Sequence, residues 1–165
     1  MRRGGRSPQR PRGWRRRARS TNLSMAEARK VAGKRVSEGS AHPASSSPSL
    51  LFAYGTLMKG FSRHRLLAGA VSFVGRAGVR GGLLALGSYP GLIEGTDLVQ
   101  GELYRLDRPE VLADIDREEG YNFERRTTPV RRVDGRRARA WAYWYRGPRT
   151  RALPIPEGDW RTRWR

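Results

Sequence analysis

Leu50-Leu51-Phe52-Ala53-Tyr54-Gly55-Thr56-Leu57-Met58-Lys59-Gly60 is a short apolar run that breaks directly into a glycine-bearing loop. Four apolar residues read as a buried strand, and the loop that follows sits at the rim of whatever core that strand enters. A glycine at such a position lets a ligand approach the main chain closely. Successive N–H groups in a tight turn also form a small concavity that suits anions. A plain turn after a first strand fits these residues as well, so the rest of the chain has to decide between the two.

Upstream of this stretch the composition is different. Residues 1–50 carry 13 of the 34 Lys and Arg but only Glu27 and Glu38 among the acids, a net +11 of the chain's +19. Too few apolar residues stand there to offset the entropy of ordering them, so 1–49 reads as a disordered Arg/Ser/Pro-rich tail and linker. Arg15-Arg16-Arg17 beside Trp14 offers weak nucleic-acid contact by charge and stacking. An upstream start with Met25 as initiator, or an Arg- and Ser-rich presequence, fits the same residues. Arg2-Arg3 lacks the apolar segment a twin-arginine signal needs.

The remaining roughly 115 residues are enough for one modest core. There is no cysteine, which removes disulfides and thiolate chemistry, and only His42 and His64 among the histidines. That leaves no ordinary zinc set, so no metal site is expected. No apolar run approaches the roughly 20 residues of a membrane helix. The expectation is a cytoplasmic protein without a membrane span, and nothing in the residues bears on its oligomeric state.

Downstream of the loop, Phe61–Leu67 reads as a short helical turn that brings Arg63, His64 and Arg65 near it. Val71–Val79 and Gly82–Leu86 read as strands broken by glycines, as in a small curled sheet. Val99–Leu106 is a strand by residue type, and Asp134-Gly135 joins Phe123–Val133 to Arg136–Tyr145 as a hairpin. Asp107-Arg108-Pro109-Glu110 has the composition of a helix start capped by Asp107, and Gly120 that of a stop. A helix is therefore predicted over Arg108–Glu119. Residues 148–165, rich in Arg and Pro, read as a basic C-terminal extension lying loosely on the surface.

Side-chain directions on that helix follow from about 100° per residue. With Val111 at zero, the apolar face formed with Leu112 and Ile115 centres near 50°, and Glu119 falls near 80°, inside it. Glu118 and Asp116 lie at the edges, and Arg117 faces water. Burial, the negative end of the helix dipole and the neighbouring Glu118 all push the pKa of Glu119 upward. A carboxylate so placed can serve as a base or acid near neutral pH. The alternative is a frayed helix end whose Glu reaches water or pairs with Arg125 or Arg126.

The Tyr54-Gly55-Thr56-Leu57-Met58 loop, Gly101-Glu102-Leu103-Tyr104, Ile115-Asp116-Arg117-Glu118-Glu119-Gly120-Tyr121 and the Trp141–Tyr145 strand resemble, in that order, the γ-glutamylcyclotransferase-like family, including its AIG2-like and γ-glutamylamine cyclotransferase members. The resemblance runs from about Leu50 to Tyr145. It implies an α+β fold, a small mixed and mostly antiparallel β-barrel with flanking short helices, over residues 50–147. It also implies an enzyme that cyclises a small-molecule γ-glutamyl substrate, releasing 5-oxoproline and an amine or amino acid, with no cofactor. By the same resemblance Glu119 is the catalytic acid/base. Main-chain groups of Tyr54, Gly55, Thr56 and Leu57 hold the α-carboxylate or the reacting carbonyl, and Tyr143 walls the pocket. Phe123 stands two residues before Arg125 where many members carry Tyr. Two other readings remain open: deprotection of a γ-glutamyl biosynthetic intermediate by the same residues, and a non-catalytic nucleic-acid-associated module working through the tail. Glu102 is the competing acid.

Overall fold

The computed structural model describes residues 47–164. The expected disorder, nucleic-acid contact and targeting role of the tail fall almost wholly outside them. Among the described residues the regular structure is six strands and one α-helix: β1 (Leu50–Ala53), β2 (Val71–Ala85), β3 (Pro90–Leu106), α1 (Val111–Glu119), β4 (Phe123–Arg132), β5 (Arg137–Tyr145) and β6 (Leu153–Pro154). Short 3₁₀ turns cover Ser62–Leu67, Gly120–Asn122 and Trp160–Trp164.

The sheet order is β1-β3-β5-β4-β2-β6, and the β2–β3 pairing closes it into a mixed barrel. Most pairings are antiparallel; β1 and β3 each meet β5 in parallel, at Leu51 opposite Trp141 and Leu92 opposite Trp144. The expected α+β barrel is therefore the fold. Leu51, Phe52, Leu92, Val99, Leu103, Ala140 and Ala142 are among the buried side chains of its core. Burying such apolar surface stabilises by roughly 25 cal/mol per Å² removed from water.

Four local readings change. The two strands expected over 71–86 are one long strand, bent by register shifts between Phe73 and Gly75 and between Gly81 and Gly82, so the glycine breaks bend the ribbon without ending it. The strand expected over Val99–Leu106 runs back to Pro90. Asp107 does not cap α1: its carboxylate accepts from Ser72 Oγ and Arg105 Nε, and the helix starts at Val111 with no side-chain cap. Ser72 across the β2–β3 ladder and Arg105 on β3 occupy the carboxylate instead of the helix amides. The hairpin at Asp134-Gly135 is as expected, with the Gly135 amide bonded to the Arg132 carbonyl.

The fourth change concerns the C-terminal segment, which does not lie loose. β6 pairs with the end of β2, the Gly158 carbonyl accepts from the Gln100 amide, and Trp160 is wholly buried. Arg and Pro dominate the segment's composition, but Ile155 and Trp160 determine where it goes. Replacing Trp160 by Ala is expected to cost about 3–5 kcal/mol of unfolding free energy, the range for a large aromatic removed from a core. Denaturant unfolding of the full chain measures this, and a loss below about 1 kcal/mol would mean the segment is not part of the fold's core.

Candidate active site

β1 is inserted between β3 and β5, so the loop after it emerges at one end of the barrel. That loop turns tightly: the Met58 amide donates to the Gly55 carbonyl at 2.9 Å, and the Arg63 amide to the Thr56 carbonyl at 3.0 Å. The Leu57 carbonyl lies 2.9 Å from His64 Nδ1. A carbonyl only accepts, so Nδ1 carries the hydrogen there. All three loop carbonyls are thus tied back into the protein. The N–H groups of Gly55, Thr56 and Leu57 have no acceptor among the described residues.

Gly55 has a steric reason to be glycine, since a Cβ there would collide with Cγ of Pro90. The strand end and the Tyr89–Pro90 turn can meet only without a side chain. Tyr54 closes the other flank: its hydroxyl donates to the Tyr143 carbonyl at 2.7 Å. Burial holds that phenol well above its ordinary range, so it stays a neutral donor.

The end of α1 faces this loop across a small cleft. Gly120 stops the helix with φ near 62°, and its amide bonds the Asp116 carbonyl. Val111, Leu112 and Ile115 are the buried face, as the periodicity predicts, and Glu119 shares it with 9 % of its side chain exposed. Tyr143 fastens the helix to β5 by donating to Asp116 Oδ1 at 2.7 Å, and Arg125 Nη1 pairs with the other Asp116 oxygen at 3.3 Å. The ring of Tyr143 lines the cleft while its hydroxyl is committed to the helix.

Tyr54, Gly55, Thr56, Leu57, Glu119 and Tyr143, the six residues singled out from sequence, all line this one cleft. Arg63, Tyr89, Pro90 and Phe123 line it too and were not foreseen as site residues. The signal for Arg63 was its place in the helical turn beside the loop. Its Nη1 lies 3.4 Å from Glu119 Oε1, and its Nε 3.7 Å from Glu118 Oε1. Burial raises the pKa of Glu119, Arg63 opposes that rise, and Glu118 adds to it; the net direction is up.

Glu102 is elsewhere. Its buried carboxylate accepts from the Lys59 amide at 2.8 Å and the Tyr104 hydroxyl at 2.6 Å, and lies 3.5 Å from Arg161 Nη1. It fastens the far end of the loop to β3 and to the C-terminal segment and does not line the cleft. His64 likewise positions Leu57 and stays out of the cleft lining.

Chemically, the cleft offers a shielded carboxylate with raised proton affinity, a guanidinium beside it and a short row of unspent backbone donors. That set can move a proton and hold an oxygen anion.

Residues 51–162 match the family model described as gamma-glutamyl cyclotransferase, AIG2-like. A protein of Vibrio cholerae that carries the name gamma-glutamylcyclotransferase is 35% identical over 113 residues, which is 67% of this chain and 94% of that one. The gamma-L-glutamyl-butirosin B gamma-glutamyl cyclotransferase of Niallia circulans is 39% identical over 72 residues, 43% of this chain and 46% of its own length. Among solved structures, that of the protein ytfP from Escherichia coli superposes with a TM-score of 0.52 at 30% identity, covering 70% of this chain and 99% of that one.

The electrostatics of Glu119 predict a pH signature in stability. Its folded pKa lies above the ordinary 4.5, so ionising it in the fold costs more than in the unfolded chain. That penalty enters as pH rises past the unfolded value and is complete above the folded one. Glu119→Gln lacks the penalty, so its stability relative to the parent should rise as the pH climbs past the ordinary 4.5. Urea unfolding on either side of that value measures the difference; a parent that gains on the variant would mean the carboxylate is stabilised by the fold.

Proposed function

The chain belongs to the gamma-glutamyl cyclotransferase, AIG2-like family, and on that premise we propose that it cyclises a γ-glutamyl amide to 5-oxoproline, with Glu119 as the group that moves the proton. The observation that carries this reading is the placement of one shielded carboxylate in the same small cleft as three residues whose backbone N–H groups have no acceptor among the described residues.

The nucleophile in this chemistry is the substrate's own α-amine. Its nitrogen attacks the γ-carbonyl carbon, a five-membered lactam forms, and the bond to the departing amine breaks. No water is consumed. The attacking nitrogen must shed a proton and the leaving nitrogen must gain one, so a single acid/base on the correct face serves both halves. Glu119, held above the ordinary carboxylate range by burial, has a proton affinity closer to that task than an exposed glutamate has.

The open glutamyl chain has several rotatable bonds, and closing it is largely a problem of lost freedom. A cleft of fixed walls, with Tyr143 pinned to α1 and Tyr54 pinned to β5, meets that cost in advance. The unspent N–H groups of Gly55, Thr56 and Leu57 are suited to the oxygen that becomes negative in the tetrahedral intermediate.

A second reading concerns the leaving group and is favoured by the identity with the Niallia circulans cyclotransferase named for gamma-L-glutamyl-butirosin B. The same residues would then remove a γ-glutamyl group from a larger biosynthetic intermediate.

Incubation of the purified full chain with γ-glutamyl amines, γ-glutamyl amino acids and glutathione, following 5-oxoproline, tests the proposal. Glu119→Gln is expected to lower release by about 100- to 10,000-fold, the usual contribution of a positioned acid/base, while the variant stays folded. A Gln variant that turns over as fast as its parent would remove Glu119 from the chemistry.

A further inference from the structure

Resting on the cyclotransferase reading, we propose that Arg63 is the anchor for the α-carboxylate of the γ-glutamyl group, exchanging its Glu119 partner for that carboxylate when substrate enters. Among the described residues lining the cleft, Arg63 is the one cation and Glu119 the one anion. An α-amino acid head carries an ammonium and a carboxylate on the same carbon. The cleft presents the complementary pair at similar spacing, a carboxylate oxygen 3.4 Å from a guanidinium nitrogen.

The geometry of the cleft suits a guanidinium that can change partners. Charge-assisted N–H···O contacts settle near 2.7–2.9 Å when fully formed. Arg63 stands 3.4 Å from Glu119 and 3.7 Å from Glu118, divided between two carboxylates. Its main chain, by contrast, is fixed: its amide donates to the Thr56 carbonyl in the loop. The side chain is 28 % exposed, enough for an entering ligand to reach it. Its planar fork matches a carboxylate through two parallel hydrogen bonds.

This exchange divides the labour inside the cleft. With the α-carboxylate on Arg63, the α-ammonium faces Glu119, and the loop N–H groups of Gly55, Thr56 and Leu57 are left for the γ-carbonyl oxygen. Arg63 holds the proton affinity of Glu119 down against burial, and with the α-carboxylate on Arg63 the α-ammonium stands beside Glu119 as the cation in its place.

The test uses γ-L-glutamylmethylamide and its analogue lacking the α-carboxylate, on the full-length parent, Arg63→Gln and Arg63→Lys. Arg63→Gln is expected to raise KM for the parent substrate by about 10- to 100-fold, the loss of a charged hydrogen-bonded partner, with kcat changed less. Arg63→Lys should recover part of that loss. The analogue should bind the parent as weakly as the substrate binds Arg63→Gln, and the substitution should not weaken it further. An unchanged KM in Arg63→Gln, or an equal loss on both compounds, would overturn the anchor while leaving the cyclotransferase reading intact.

Calorimetric binding of the same two compounds separates the two ideas if the parent releases no 5-oxoproline. Binding that needs both Arg63 and the α-carboxylate would uphold the anchor and discard the cyclisation. Absent binding, or binding indifferent to Arg63, would overturn the anchor as well.

Discussion

Taking a carboxylate out of water beside a guanidinium sets two opposed forces on it, and the cleft is organised around their balance at Glu119. Desolvation disfavours the charged form and Arg63 favours it; desolvation prevails and the pKa moves up. Arg63 stands 3.4 Å from the carboxylate, and burial outweighs it. A buried group of this kind survives only on a rigid support, because a frayed helix end would let it reach water.

The support comes from elements far apart in sequence. Tyr143 on β5 holds α1 through Asp116, and Tyr54 holds the loop to the Tyr143 carbonyl, so the two walls of the cleft share one residue of the barrel. On the outer side of the loop, Glu102 takes the Lys59 amide and stands beside Arg161 of the C-terminal segment. The segment that looks like an appendage therefore braces the residue that braces the loop. Each contact is worth little alone, on the order of 1 kcal/mol for a hydrogen bond, but together they remove the freedom that would let Glu119 relax into solvent.

The legible parts of this arrangement are those set by local geometry. Helical periodicity placed Glu119 on the buried face from Val111, Leu112 and Ile115, without knowledge of what lay opposite. The strand running into Tyr54-Gly55-Thr56-Leu57 identified the loop, and the family resemblance joined the two into one site. Asp107 misled because a residue with cap chemistry is equally good for Ser72 and Arg105, and only the strand pairing decides which partners it takes. The strength of Glu102 as a competing acid could not be judged before its strand face was known. Arg63 was near the loop on any reading, yet its approach to Glu119 depends on the barrel bringing Ser62–Leu67 against the end of α1. Trp160 shows the same limit from the other side: one buried indole outweighs the arginines around it.

All of this rests on the ionisation of one side chain. Carbon NMR titration of the Glu119 carboxyl in the ligand-free chain, assigned by comparison with Glu119→Gln, reads that ionisation directly. A midpoint above the ordinary 4.5 is expected. A midpoint at or below that value would mean the carboxylate is stabilised as an anion, and would contradict its place as the base.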